Sequence, residues 1–496
     1  MDVTEMKVWF VTGSQDLYGE EPLQKVAEHS RRIVRSLEDS PYIPVSLEFK
    51  SVFTTARDIS AMCSAANSDA SCAGLIAWMH TFSPARMWID GLQTLRKPYV
   101  HLHTQFNREI PWADIDMDFM NLNQSAHGGR EFGYACTRLG DTRKVVVGHW
   151  QDEDVQQKLG NWARALAARH DARGARIARF GDNMRDVAVT EGDKVEAQRQ
   201  FGYVVNGYGL GDLQSYLPER NAKRVEQVLE EYEECYRFAD SARQGGEYRE
   251  ALTESARLEV GLKDFLQDGG FKGFTTTFEN LYGLRQLPGL AVQRLMEQGY
   301  GFGAEGDWKT AALVRALKVM GDGLEGGASF MEHYTYHLEK GNMKVLGAHM
   351  LEVCASVAGG TPILDVHRLD IGGKKPPARL VFDVAPGPAL NASLVDLGNR
   401  FRLVSNDVDV VEPEQPLPNL PVARALWEPH PDLKTEAAAW ILAGGAHHTA
   451  FSQAVSAEHL EDFAEMLGIE WVHIGNETEL PEFKKELRWN AAYYNS

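Results

Sequence analysis

A chain of 496 residues is too long for one ordinary hydrophobic core, so about two to four domains are expected. Hydrophobic residues at 44% and charged residues at 24% describe a folded globular protein and exclude a disordered one. The net charge of −19, from 70 acidic against 51 basic residues, argues against a nucleic-acid or anionic-membrane partner, since either calls for a basic patch.

Through residue 175, short apolar runs alternate with amphipathic stretches, the pattern of an α/β layer fold. Val8–Val11 reads as a buried strand and leads into the loop GSQDLYG, residues 13–19. Leu23, Val26, Ile33 and Leu37 then recur at helical spacing, with Pro22 suited to a helix start. Strands are predicted at Ile43–Phe49, Gly74–Trp78, Tyr99–His103, Val145–Val147 and Ile177–Phe180, with helices near 57–66, 84–95 and 153–169. Such alternation implies a mostly parallel sheet with its functional loops at the carboxyl ends of the strands.

A second α/β region spans 176–325. Its long helix, over 219–240, would bury Val225, Val228, Leu229, Tyr232, Cys235 and Tyr236, leaving Glu230, Glu231, Glu233 and Glu234 in solvent. Further helices are predicted at 250–267 and 308–320. From 326 to 496 the texture changes. Phe330–Leu338, Arg379–Val384 and Phe401–Val404 read as strands, six prolines fall within 411–431, and helices follow near 433–442 and 457–467. This favours an antiparallel or barrel-like third domain.

The five cysteines, Cys63, Cys72, Cys136, Cys235 and Cys354, form no CxxC and are odd in number, which fits a reducing cytoplasm. The start, MDVTEMKVWF, has no signal-peptide pattern, and no apolar run reaches transmembrane length. A cytoplasmic protein is expected.

Glu305, Glu332, His349 and His448 lie in the strings GAEGDWKT, SFMEHYTYH, LGAHMLEV and AGGAHHT. Two carboxylates and two imidazoles suffice to hold one borderline divalent cation and leave room for substrate oxygens. Each has a plain alternative. Glu305 and Glu332 are two of many acidic residues, although alternation puts Glu332 on the aromatic face of Phe330 and Tyr334, opposite Met331 and His333. A histidine in apolar surroundings, such as His349, is more often a core residue than a ligand. His447 and His448 cannot both face one point on a regular strand or helix, so a site would take one of them. The GSQDLYG loop lacks GxGxxG and GxxxxGK[ST], which leaves little for a nucleotide. The stretch 112–130, WADIDMDFMNLNQSAHGGR, is rich in groups able to bond sugar hydroxyls, or is a polar surface loop.

Taken together these strings resemble the L-arabinose isomerase family of the bacterial catabolic type. The resemblance runs essentially end to end, through VWFVTGSQDLYG, WMHTFSPARMWI, HTQFN, DMDFMNLNQSAHGGREFG, FGDNMRDVAVT, FTTTFENL, LPGLAVQRLMEQGYGFGAEGDWKTAAL, MEHYTYH, GAHMLEVC, DIGGKKPPARL and WILAGGAHHT. It departs only in the segments 237–250 and 405–420, where stability or assembly, not chemistry, would be affected.

The resemblance implies two Rossmann-like parallel-sheet domains, 1–175 and 176–325, followed by a β-rich, barrel-like C-terminal domain, 326–496, in a fucose-isomerase-like architecture. It implies interconversion of L-arabinose and L-ribulose, with D-galactose as a side substrate and Mn2+ as the bound metal, replaceable by Co2+. By position, Glu305, Glu332, His349 and His448 would be the metal ligands, and Glu305 and Glu332 the acid–base pair. The family forms trimers or hexamers whose sites are completed by a neighbour. Gln15, Leu17, Tyr18 and His127 would then reach across to the sugar, while Met184, Phe278, Ile371 and His447 border it. The rivals are an isomerase of another sugar such as L-fucose, a non-catalytic sugar-binding protein, and a metal-dependent hydrolase.

Overall fold

The computed structural model describes residues 6–239, 246–369, 371 and 373–494, so residues 240–245 of the divergent segment 237–250 lie outside the described residues. The chain divides into two compact units, Met1–His170 with Glu461–Gly468, and Asp171–Leu460 with Ile469–Ser496.

The first unit is built on β1 (Lys7–Gly13), β2 (Ser46–Phe53), β3 (Cys72–Met79), β4 (Tyr99–His103) and β5 (Lys144–Val147). All pairings are parallel, in the order β2-β1-β3-β4-β5. The inner strand β3 is buried at every position, as expected when helices cover both faces. The helix Glu20–Glu38 packs Val26, Ile33, Val34 and Leu37 inward, the face its periodicity predicts. Strand order reverses between β1 and β3, which opens a crevice at their carboxyl ends. Only glycine fits at its edge, because a Cβ on Gly13 would sit 2.4 Å from the Met79 sulfur.

Two local expectations in this unit are corrected. The strand placed at Ile43–Phe49 begins at Ser46 and runs on to Phe53, because Pro44 has no N–H to enter the ladder. The helix at 84–95 is a 3₁₀ turn, Ala85–Trp88, followed by a short helix, Ile89–Thr94. Within the polar stretch 112–130, the Asp116 side chain caps a helix at Met117–Leu122, and the longer helix Ser125–Leu139 follows.

The second unit opens with β6 (Arg176–Phe180), β7 (Val204–Tyr208), β8 (Arg237–Phe238), β9 (Phe271–Thr275) and β10 (Gly301–Gly303). A parallel sheet runs in the order β10-β9-β6-β7. The helix predicted at 219–240 spans only Lys223–Cys235. It buries Val225, Leu229 and Tyr232, while Cys235 is exposed. The helix ends there because Arg237 and Phe238 pair with a strand far along the chain.

The remaining strands are β11 (Ala328–His337), β12 (Lys344–Ala348), β13 (Ile363–Val366), β14 (Ala378–Val381), β15 (Gly387–Asp396), β16 (Phe401–Val411), β17 (Arg424–Pro429), β18 (His448–Ser452) and β19 (Glu470–Ile474). Antiparallel pairing in the order β15-β18-β11-β12-β17-β16 returns to β15 and closes a barrel, with β19 added in parallel on β16. A small sheet, β14-β13-β8, stands apart from it. The two parallel α/β sheets and the antiparallel C-terminal barrel are the predicted fold class. Met331, Val345, Val408, Val410, Trp427 and Phe451 belong to one buried apolar cluster. No described helix is long and apolar enough to cross a membrane.

Candidate active site

The site lies in the second unit, where loops leave the carboxyl ends of β6, β9 and β10, the edge at which open parallel sheets bind ligands. The turn after β10 carries Glu305, a non-glycine residue at φ +60°. A side chain in that conformation costs on the order of 1–3 kcal/mol and persists only where its surroundings enforce it. Met184 N–H donates to the Glu305 carbonyl at 2.9 Å, and Gly306 N–H to that of Thr276 at 3.0 Å. Asp307 then caps the helix Trp308–Met320, whose bounds match the predicted ones.

The barrel supplies the other groups. Glu332 on β11 stands opposite His448 on β18 and opposite Ala348 on β12, so His349 follows directly after its other cross-strand neighbour. Strand alternation turns Phe330 and Glu332 to one side and Met331 and His333 to the other, up to a register shift between His333 and Thr335. Tyr334, at that irregularity, is exposed.

His448 Nε2 lies 3.7 Å from Glu305 Oε2, and its Nδ1 is 3.1 Å from Asp307 Oδ2. His349 repeats the pattern, with Nε2 3.9 Å from Glu332 Oε2 and Nδ1 2.5 Å from Glu352 Oε2. The Phe330 ring meets both imidazoles edge-on, at centroid distances of 4.9 and 5.2 Å, and Phe278 stacks on His349 at 6.0 Å. Asp307 and Glu352 were not singled out in the sequence. Their signal is proximity alone, a carboxylate two residues after Glu305 and another three after His349.

The histidine pair does not lie on a regular strand, so the alternation argument does not apply to it. His447 and His448 do approach one point: one ligand atom from each and one from Glu305 lie within 4.8 Å of one another. His447 also brings Nε2 to 3.9 Å from Glu332 Oε1. The period-2 argument fails because β18 begins at His448. His447 is still in the preceding bend, its carbonyl accepting from His333 N–H at 2.9 Å.

Burial raises the Glu332 carboxyl above its ordinary range, although His349 partly offsets this. Burial alone would lower the His349 imidazole, but the Glu352 and Glu332 carboxylates override it and raise it. For Asp307 burial opposes ionisation, yet Lys309 and His448 hold its carboxyl well below the usual range. Burial, with His448 beside it, pushes His447 down to about 4.

These donors fit a divalent cation. His448 Nε2 is buried and has no hydrogen-bond partner among the described residues, while Nδ1 engages Asp307. If Nδ1–H donates to that carboxylate, the Nε2 lone pair points at Glu305. Carboxylate–imidazole pairs of this kind orient histidines toward metals, and His349 with Glu352 forms a second one.

Among the other candidates, Met184 is tied to Glu305 through its backbone and Phe278 lies against His349. Ile371 is half-buried, between residues 370 and 372, which lie outside the described residues. Gln15, Leu17, Tyr18 and His127 belong to the first unit. Leu17 is 85% exposed in a 3₁₀ turn, and exposed His127 stacks on Phe82 at 4.5 Å.

Three family models match the sequence in succession. They are described as the L-arabinose isomerase N-terminal domain over residues 2–174, the central domain over 176–323 and the C-terminal domain over 327–470. The chain is 60% identical to the L-arabinose isomerase of Herpetosiphon aurantiacus over 100% of its own length and 99% of that protein's. It is 61% identical to the L-arabinose isomerase of Geobacillus stearothermophilus, over 98% of each chain. With that of Yersinia pseudotuberculosis it shares 58% identity over 100% of its own length and 99% of the relative's.

Proposed function

The chain belongs to the L-arabinose isomerase family, and from that premise we propose that it interconverts L-arabinose and L-ribulose at the Glu305, Glu332, His349 and His448 cluster. The observation that carries this siting is the buried His448 Nε2, without a hydrogen-bond partner among the described residues and facing Glu305.

The C2–H of an open-chain aldose is too weak an acid for an unaided carboxylate. A divalent cation, Mn2+ or in its place Co2+, would supply Lewis-acid stabilisation of the negative charge growing on O1 and O2. Glu305, Glu332, His349 and His448 are the residues that would hold it. One of the two glutamates takes the C2 proton and returns it at C1 through an enediolate, and the other moves a proton between O1 and O2. Phe278 and Phe330 close the apolar side of the cluster and limit the water around it. Met184, Ile371 and His447 are assigned to the sugar's surroundings, and D-galactose is a slower substrate.

The remaining sugar contacts, Gln15, Leu17, Tyr18 and His127, are assigned to a neighbouring subunit of a homotrimer or hexamer. Support comes from large apolar side chains left in solvent on the first unit, with Leu17 at 85%, Trp112 at 82% and Met117 at 65% exposure. The enzyme is assigned to the cytoplasm. The deciding experiment incubates metal-stripped protein with L-arabinose, with and without Mn2+, and assays ketose. Ketose formation that depends on Mn2+ is expected, and its absence under both conditions overturns the reading.

A further inference from the structure

Among the described residues, two non-glycine residues hold a left-handed backbone, Glu305 at φ +60° and Asp186 at φ +64°. Both sit at the carboxyl edge of the β6–β10 sheet, one in the turn after β10 and the other in the loop after β6. Strain gathered on two adjoining loops points to a part whose geometry is imposed for function.

The loop after β6 is organised by one side chain. Asn183 is buried, its Oδ1 accepts from Arg179 Nη1, and its Nδ2 donates to the carbonyls of Thr190 and Gly306, the latter at 3.3 Å. The bond to Thr190 closes the loop on itself. The bond to Gly306 does something else, since it grips the residue immediately after Glu305. Gly306 is itself at φ +84°, and a Cβ there would lie 2.5 Å from Asn183 Cα, so the two backbones are pressed together without intervening atoms. The Met184 N–H bond to the Glu305 carbonyl, at 2.9 Å, makes a second tie between the same loops.

We propose that Asn183 is a positioning residue for the isomerisation: its side-chain amide holds the left-handed turn at Glu305, so that the Glu305 carboxylate faces His448 before metal or sugar arrives. The inference rests on the reading of Glu305 as ligand and proton carrier. A loop stabilised only for its own sake would need the Thr190 bond and not the Gly306 bond. The amide type matters, because only Asn offers, at this length, one acceptor for Arg179 and two N–H donors for the paired carbonyls.

The test is Asn183→Asp, which keeps shape and the acceptor toward Arg179 but sets a carboxylate oxygen against two carbonyl oxygens, together with Asn183→Ala. Mn2+ affinity, measured by titration, and kcat are expected to fall about 10–100-fold, the usual effect of losing a group that supports a metal ligand. KM for L-arabinose should move little, and the fall in Mn2+ affinity should exceed any fall in the unfolding midpoint of the metal-free protein, which the lost buried hydrogen bonds will also lower. Variants that bind Mn2+ and turn over like the unaltered enzyme overturn the proposal, as does a loss of affinity matched by a lowered midpoint and equal in both variants. Should neither variant fold, amide hydrogen exchange of the unaltered metal-free protein decides. The Met184 amide, which spans the two loops, is expected to be as protected as those of β9, and free exchange there overturns the pre-formed tether. That result is independent of activity; an unaltered enzyme making no ketose with Mn2+ would overturn the functional reading instead.

Discussion

Glu332 and His448 occupy directly opposed positions in the antiparallel pair β11–β18, so the register that closes the barrel also sets a carboxylate beside an imidazole. A slip of one residue would turn both side chains to the opposite face of the strands. Fold and chemistry are therefore coupled at this pair, while Glu305 is delivered from a different sheet. Replacing either carboxylate by its neutral isostere tests the pair most directly. Glu305→Gln and Glu332→Gln should each lower ketose formation by at least ~10²–10⁴-fold, the usual share of one acid–base group, and weaken Mn2+ binding as well. Most activity surviving in either variant would remove that residue from the mechanism.

The two adjacent histidines differ in what they are prepared to do. His448 is fully buried, oriented by Asp307 and left with an Nε2 that has no hydrogen-bond partner among the described residues, whereas His447 is half-buried and has no such orienting carboxylate among them. His448→Asn should therefore weaken Mn2+ affinity, and His447→Asn should chiefly raise KM for the sugar. An unaltered Mn2+ titration in the His448 variant would transfer the ligand role to His447.

Asp307 and Glu352 act one step further out. Asp307→Asn and Glu352→Gln leave every metal donor in place but remove the carboxylate that fixes each imidazole's orientation. A drop of about 10–100-fold in Mn2+ affinity is expected for each. Asp307 also caps a helix, a role Asn fills about as well, whereas losing its charge beside buried Lys309 should lower stability. Unfolding measured without metal separates the two effects, and affinity that falls only as far as stability does would argue against an orienting role.

Much of this architecture was legible in the sequence because it is local. The helix Glu20–Glu38 and the helix Trp308–Met320 follow from apolar spacing and start signals close by. What was not legible depends on distant partners. The helix at Lys223–Cys235 stops early because the next residues pair with β13, and no local residue announces that. The convergence of Glu332, His349 and His448 comes from strand register in a closed barrel, which spacing along the chain does not encode. That His447 precedes the strand was hidden for the same reason, since the start of β18 is set by its pairing with β11. Asp307 and Glu352 were hidden among 70 acidic residues until their distances to imidazoles could be measured.

Assembly can be separated from metal binding, because the proposed metal donors lie in the second unit whereas the exposed apolar residues Leu17 and Trp112 lie in the first. Leu17→Glu combined with Trp112→Glu would put charge into the proposed subunit contact. A smaller species in sedimentation, with little ketose formation but an unaltered Mn2+ titration, is expected. An intact oligomer with full activity would exclude these side chains from the contact.

Glu436 provides a stability test away from the metal donors. It is wholly buried, neither carboxylate oxygen has a hydrogen-bond partner among the described residues, and His333 Nε2 is 3.9 Å away. Burial pushes its carboxyl from 4.5 up to about 7. A raised carboxyl binds its proton more tightly in the folded state, so its contribution is full below the unfolded value and is lost as pH rises toward the folded one. Between about pH 4.5 and 7 the folded protein keeps this proton and the unfolded chain does not. The slope of stability with pH is therefore negative, and the loss amounts to about 3 kcal/mol by neutral pH. His333, pushed down to about 4 by burial, has the opposite slope and masks the effect in the unaltered protein. Glu436→Gln removes only the first contribution while keeping shape. Urea unfolding of the two proteins should agree near pH 4.5 and diverge in favour of the variant by up to about 3 kcal/mol near pH 8. A difference independent of pH would mean that Glu436 does not carry a retained proton in the folded state.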